Sequence, residues 1–520
     1  MQLKLSRMRS FSLASLSLIV ALAPIACGSD DDDDSNNTGG TSSAGNGGKT
    51  SAGGKTGTGG KTGSGGSSSQ GGDPSSDGGD DAVGGAGGAP AAKARVRVIH
   101  ASPNAPSVDI YAEGASTPAA SDVAYGDATP YIELDAGPVA FDLRAAGAEA
   151  DDEPAFTTEP VELAAGADYS FVAAGDFANA ADADVGFRVL SLEHDFEAAS
   201  AGHAVSRIVH ATSAWGEVDV DLAATVDVDL PALAPFASES NVELPADAAL
   251  EVSFANADGT LSKLTVPELT EGDELTVIAT GNPGFPFRPP ANGFALLVVD
   301  QDGNTSWVRE QPWLHLLHAS DISTVDVYDS AQTAAAAKLI DDLAAETLGA
   351  FQLPASNVGF TLKAVADDAV SGTATGLASG DTSTLEAGEH YLSYIAGDTI
   401  ETIHEQFDLE QPTEAIIRGV HASVSILETV DFGAAVSSSL TSALIAGVEP
   451  AESSAEAGVA INPGNVILGA TATNTLTPLL AEKALSAANA PVAGERSFVL
   501  LVGAGELWLV NTAVAGWSLR

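Results

Sequence analysis

The chain has one cysteine in 520 residues, Cys27, so no disulfide within it can staple the fold and its stability must come from packed cores. Cations are scarce as well: 21 Lys and Arg stand against 71 Asp and Glu, a formal net charge of -50. So anionic a surface repels phosphate backbones and anionic headgroups, which argues against nucleic acid as a partner and leaves a covalent lipid as the expected route to a membrane. Aromatic residues make up only 6%. The cores must therefore be built from Val, Leu, Ile and Ala, which suits pleated sheets. Past Leu22 no segment is apolar enough to span a bilayer as a helix.

What is present begins with an export signal. Lys4, Arg7 and Arg9 form a charged start, and Phe11 to Leu22 an apolar stretch too short to be a spanning helix. Pro24-Ile-Ala-Cys27 then resembles a bacterial lipobox, with Pro24 where Leu is usual. A lone cysteine at the position that lipidation would use makes Cys27 the expected acylated residue and residues 1–27 a lipoprotein-type signal peptide. The expected location is outside the cytoplasm, anchored at the cell envelope or cell surface; if lipidation fails, a cut near Ala26 would secrete the protein. Residues 28–92 are Gly, Ser, Thr, Asn and Asp with almost nothing to bury, so they read as a disordered tether. Such a coil would hold the folded part roughly 40 to 50 Å from its anchor. The repeated Gly-Gly-Lys-Thr units, as at Gly47 to Thr50, lack the spacing and flanking elements of a phosphate loop. The acidic run Asp30 to Asp34 reads as solvated spacer.

Two landmarks then recur four times. The first is an apolar strand ending in His-Ala, a polar loop, and an apolar residue followed by Asp: His100 with Asp109, His210 with Asp219, His318 with Asp326, and His421 with Asp431. The second is a turn glycine, an alternating strand and another glycine nine positions on: Gly166 to Gly175, Gly272 to Gly281, Gly388 to Gly397 and Gly494 to Gly503. Tyr169, Phe171 and Ala173 alternate with Ser170, Val172 and Ala174, the period of a strand. The first repeat reads as strands at 95–101, 108–113, 131–134, 139–145, 156–163, 168–174 and 187–193. Short strands at such intervals describe an all-β chain of four tandem immunoglobulin-like antiparallel β-sandwich domains, at 93–200, 201–312, 313–411 and a divergent 412–520. Asp258-Gly259 and Asp302-Gly303 read as hairpin turns.

Val98-Ile-His-Ala-Ser-Pro-Asn-Ala-Pro-Ser-Val-Asp-Ile-Tyr111, with Ala124-Tyr-Gly-Asp-Ala-Thr-Pro-Tyr131 and Leu163-Ala-Ala-Gly-Ala-Asp-Tyr169, resembles the bacterial family known as domain of unknown function 4397. The resemblance weakens through the second and third repeats and is least in the fourth. It implies exported, often tandem, β-rich domains on lipoproteins or surface proteins, and brings no catalytic or binding residues with it.

A His with an Asp is half of a hydrolase triad, but the chain has no Gly-x-Ser-x-Gly elbow and no second cysteine to serve as nucleophile. One competent site would suffice for an enzyme, whereas residues that hold a fold must recur in every copy. The structural reading is therefore preferred: each His bonds to backbone or to the Asp and pins the loop between two strands. Arg97, Arg207 and Arg418 each stand three before a landmark His, with His315 in the third repeat, on the opposite face of the strand. A cross-strand carboxylate is their expected partner. No catalytic, cofactor-binding or metal residues are assigned, and no cofactor is expected. The leading expectation is a non-enzymatic surface protein that contacts an envelope, matrix or polysaccharide partner. Carbohydrate-binding modules and a hydrolase built on a landmark His/Asp pair are the alternatives. Trp215, Trp307, Trp313, Trp508 and Trp517 do not recur at one repeat position, which speaks against a shared sugar platform.

Overall fold

The structure, a computed structural model, describes residues 93–520 apart from 150, 223–228, 290, 331–337, 368, 370–373, 409–412, 487–488 and 513–515. The expected signal peptide, Cys27 and the expected tether lie outside the described residues. The described chain is all-β, in several sheets. Among these residues no helix is long and apolar enough to cross a membrane.

The first segment comprises β1 (Lys93–His100), β2 (Val108–Ala112), β3 (Ala120–Val123), β4 (Ile132–Asp135), β5 (Gly137–Val139), β6 (Phe141–Ala145), β7 (Phe156–Thr157), β8 (Val161–Leu163), β9 (Asp168–Ala174) and β10 (Arg188–Glu193). They form one sheet in the order β10-β9-β1-β4 and another in the order β3-β2-β6-β7, with a short β5–β8 ladder. Val96 and Val98 from the first sheet meet Val108, Ile110 and Leu143 from the second, with Phe171 and Phe141 edge to face at 5.0 Å. Each such buried side chain contributes roughly 1.5–3 kcal/mol.

Three expectations need correction. The strand expected at 139–145 breaks at Ala140, so that β5 pairs with β8 while β6 pairs with β2 and β7; the one expected at 156–163 breaks likewise. Strand β3 escaped notice because only Val123 of its four residues is buried, leaving no alternation to read. The sheets are also not purely antiparallel: β1 runs parallel to β9, from Arg95 opposite Asp168 to His100 opposite Ala173. Strand β4 returns antiparallel on one side of β1, and β9 returns parallel on the other only after β6 and β7 have completed the second sheet, the kind of crossover that parallel neighbours require.

The same parallel pairing joins His203–His210 to Glu274–Thr280, Trp313–His318 to His390–Ala396, and Ala415–His421 to Arg496–Val502. In the third segment a single bridge, Ser379 to Thr399, merges the strands into one eight-stranded sheet. Glu193 at the end of β10 lies beside Tyr169, and Asp168 beside Arg95, so the chain enters and leaves the first segment at one end of its sheet.

The landmark strands are buried on both faces. Ile99, Val172 and Ala174 turn away from the first segment's own core and meet Val209, Ile278 and Leu297 of the second. Leu317, Leu392 and Tyr394 of the third meet Val420, Phe498 and Leu500 of the fourth in the same way. The four segments therefore pack as two back-to-back pairs. Double burial accounts for near-continuous apolar runs such as Arg496–Val502, every residue of which is buried.

Candidate functional site

The recurring polar residues are the first candidates for chemistry, and each has a backbone task. Asp109 faces two residues of β3, since Val108 pairs with Val123 and Ile110 with Ala120, which is a β-bulge. The Asp109 carboxylate accepts the Asp122 N–H at 2.8 Å and the Gly147 N–H at 2.9 Å. Asp122 has φ 53°, a left-handed conformation that strains a residue with a Cβ. The bulge recurs with the same offset. Asp219 accepts from Ala232 at φ 52°, Asp326 from Asp342 at φ 55°, and Asp431 from Gly447 at φ 71°. Asp326 is also paired with Lys338 at 2.9 Å.

The landmark histidines point elsewhere. Nε2 of His100, His210, His318 and His421 lies 3.1, 2.9, 3.3 and 3.1 Å from the carbonyl oxygens of Pro106, Gly216, Ser323 and Glu428, all in the loop that follows. A carbonyl only accepts, so Nε2 carries the proton. Burial is the main cause that lowers all four pKa values and keeps the rings neutral. The carboxylates of Asp109, Asp219 and Asp431 are engaged with the neighbouring edge strand, so the His/Asp pairing of a triad is not formed there. Ser320 Oγ approaches His318 Nδ1 only to 3.5 Å.

The two landmarks also hold each other. Ser102 Oγ donates to the Gly175 carbonyl at 2.7 Å, and Thr212 Oγ1 to that of Gly281 at 3.1 Å. Glycine is required there: a Cβ on Gly281, at φ 95°, would stand 2.2 Å from the Gly293 oxygen.

The residue three before each histidine reaches across a pair junction, which corrects the expected carboxylate partner in two of three cases. Arg97, 1% exposed, donates to the Asp300 carbonyl of the second segment at 2.6 Å, to Thr276 Oγ1 at 3.3 Å and to Ser170 Oγ at 2.8 Å. Arg207 returns the contact to the Glu193 carbonyl at 2.9 Å and alone meets a carboxylate, that of Asp195. Arg418 donates to the His404 carbonyl at 2.7 Å and lies 5.1 Å from the Phe498 ring centre. His315, in the same position, stacks on Trp517 at 3.9 Å with the planes 6° apart. Carbonyls at the end of a partner's strand leave no mark in a sequence. The recurrence of the cation was the only signal.

Comparison with known proteins bears on part of the chain. The family model described as "Domain of unknown function (DUF4397)" matches residues 94–221, so one such domain lies there. The match continues past β10 through His203–His210 to residue 221, and so includes strands from both sides of the first junction. No curated protein matches. Among solved structures, the product complex of a multi-modular glycogen-degrading pneumococcal virulence factor, SpuA, shows 9% identity. It matches over 63% of this chain and 39% of its own, with a TM-score of 0.13, and carries no argument.

Proposed function

We propose that this chain is an exported lipoprotein, anchored through Cys27, that presents four tandem immunoglobulin-like β-sandwich domains on a Gly/Ser/Thr-rich tether for adhesive, matrix or envelope contacts. It acts by binding, without catalysis. The observation that supports this most is how the recurring polar residues are used. His100, His210, His318 and His421 hold loop carbonyls, and Asp109, Asp219 and Asp431 hold bulged N–H groups. Residues occupied with backbone groups maintain a scaffold, and the loops between strands then supply the contacts. The test is a Cys27→Ala strain fractionated into membrane and supernatant, beside a pulldown from envelope extract with the purified chain. Loss of membrane retention and a specific partner are expected. Unchanged retention, or hydrolysis in a broad substrate screen, would overturn the reading.

A further inference from the structure

A polar cleft of about 410 Å3 opens where the first segment meets the second, between Tyr131, Asp168 and His194 on one side and Glu274, Gln301 and Asp302 on the other. Its floor is a chain of hydrogen bonds with one consistent direction. Arg97 Nε donates to Ser170 Oγ at 2.8 Å, and Ser170 Oγ lies 2.7 Å from His194 Nε2. Ser170 is fully buried. If His194 donated to it as well, the serine proton would lack an acceptor in the interior, so the serine donates and His194 Nε2 accepts. The imidazole proton then sits on Nδ1 and goes to the Tyr131 hydroxyl at 2.8 Å. The Tyr131 O–H is thereby left to donate into the cleft. Burial, with Arg97 next in effect, drives the His194 pKa down to about 4, so the ring is neutral and the direction holds at ordinary pH.

What faces a visitor excludes whole classes of ligand. Arg95 is matched to Asp168, with its Nε donating at 2.7 Å, and all three Arg97 nitrogens donate inward. The charges left exposed are carboxylates, Glu274 and Asp302, which repel phosphate, sulfate and acidic sugars. The described acidic groups close enough together to hold a metal are elsewhere, at Asp326, Asp342 and Asp367. Two acceptor carboxylates, the Gln301 amide, a tyrosine donor and the half-buried Phe196 ring suit a molecule with several hydroxyls and an apolar face. At the second junction Trp517 stacks on His315, the counterpart of Arg97.

We propose that this cleft binds a neutral saccharide unit, with Tyr131 donating to one of its oxygens and Glu274 and Asp302 accepting from its hydroxyls. The inference rests on the reading of the chain as a binding protein and names a ligand class for one site of it. The full chain, purified in detergent, is applied to an array of neutral glycans ending in glucose, galactose, mannose or N-acetylhexosamine, with sialylated and sulfated glycans as a second set. Titration calorimetry follows with the best neutral oligosaccharide. Expected is retention on neutral glycans, weakened about tenfold or more by Tyr131→Phe and by Asp302→Ala, and unchanged by Glu482→Ala on the fourth segment. Asp302 is on an exposed hairpin, so its variant separates lost binding from lost folding. Retention on charged glycans alone, no retention, or an affinity unaltered in both cleft variants would overturn the proposal. If no glycan were retained while the chain still captured an envelope partner, the saccharide site would fall and the binding role would stand.

Discussion

The junction of the first two segments and that of the last two meet the same demand with different chemistry. Both bury the outer face of a parallel strand pair against its counterpart. In the first junction the polar residue of each landmark strand is an arginine that crosses to a main-chain carbonyl. In the second, Arg418 also crosses to a main-chain carbonyl, that of His404, and lies against Phe407 and Phe498, but the place of the other arginine is taken by His315 under Trp517. A buried guanidinium needs every donor matched, which dictates a particular arrangement of oxygens. Stacked rings need only area. The first junction thus rests on two arginines and has a polar cleft beside it, whereas the second rests on one arginine and one ring stack.

The comparison can be broken most severely at Arg97. Arg97→Ala removes bonds to the Asp300 carbonyl, Thr276 and Ser170 and leaves a gap where a buried side chain stood, and is expected to cost about 3 kcal/mol, read as a lower urea midpoint. Trp517→Ala, at a half-buried stack, is expected to cost about 2 kcal/mol and to leave no donor unmatched at His315. Equal losses at the two positions would show that the junctions do not differ in kind.

Acid sharpens the contrast. The His194 pKa is pushed from 6.5 down to about 4 in the fold, so its neutral form contributes stability that is complete above pH 6.5 and is lost as pH falls toward 4. Lowered landmark histidines add to this in the same direction. Melting temperature is expected to fall over that window, and less steeply in His194→Gln. A slope that His194→Gln leaves unchanged would exclude this histidine as a source.

The bulges provide the finest comparison. Three hold a residue with a Cβ at positive φ, and the fourth holds Gly447. Ala232→Gly is therefore expected to stabilise by about 1 kcal/mol, because glycine takes φ 52° without the Cβ clash. No gain in a thermal melt would mean that the Asp219 bond already relieves the strain.

The landmarks themselves were legible because a repeated constraint leaves a repeated residue. The sequence left open whether His100 bonds to backbone or to Asp109; in the structure each serves a different backbone group. Strand direction was not legible, since the alternation of Tyr169, Phe171 and Ala173 is the same whether the neighbour is parallel or antiparallel. Turn geometry was partly hidden too. Phe236, Glu346 and Ala451 take positive φ and donate to the carbonyls of His210, His318 and His421, where only the first segment uses a glycine, Gly126. The cleft was out of reach, because Tyr131, His194 and Glu274 become neighbours only when two segments dock.

Entry and exit at one end of the first sheet have a mechanical consequence. A pull carried from Lys93 into the second segment acts at the end where Val96, Tyr169 and Glu193 lie abreast, so it opens the ladders bond by bond like a zipper instead of shearing them together. The clasp of Arg207 on the Glu193 carbonyl and Asp195 sits at that same end. Under tension it serves as the latch on the zipper.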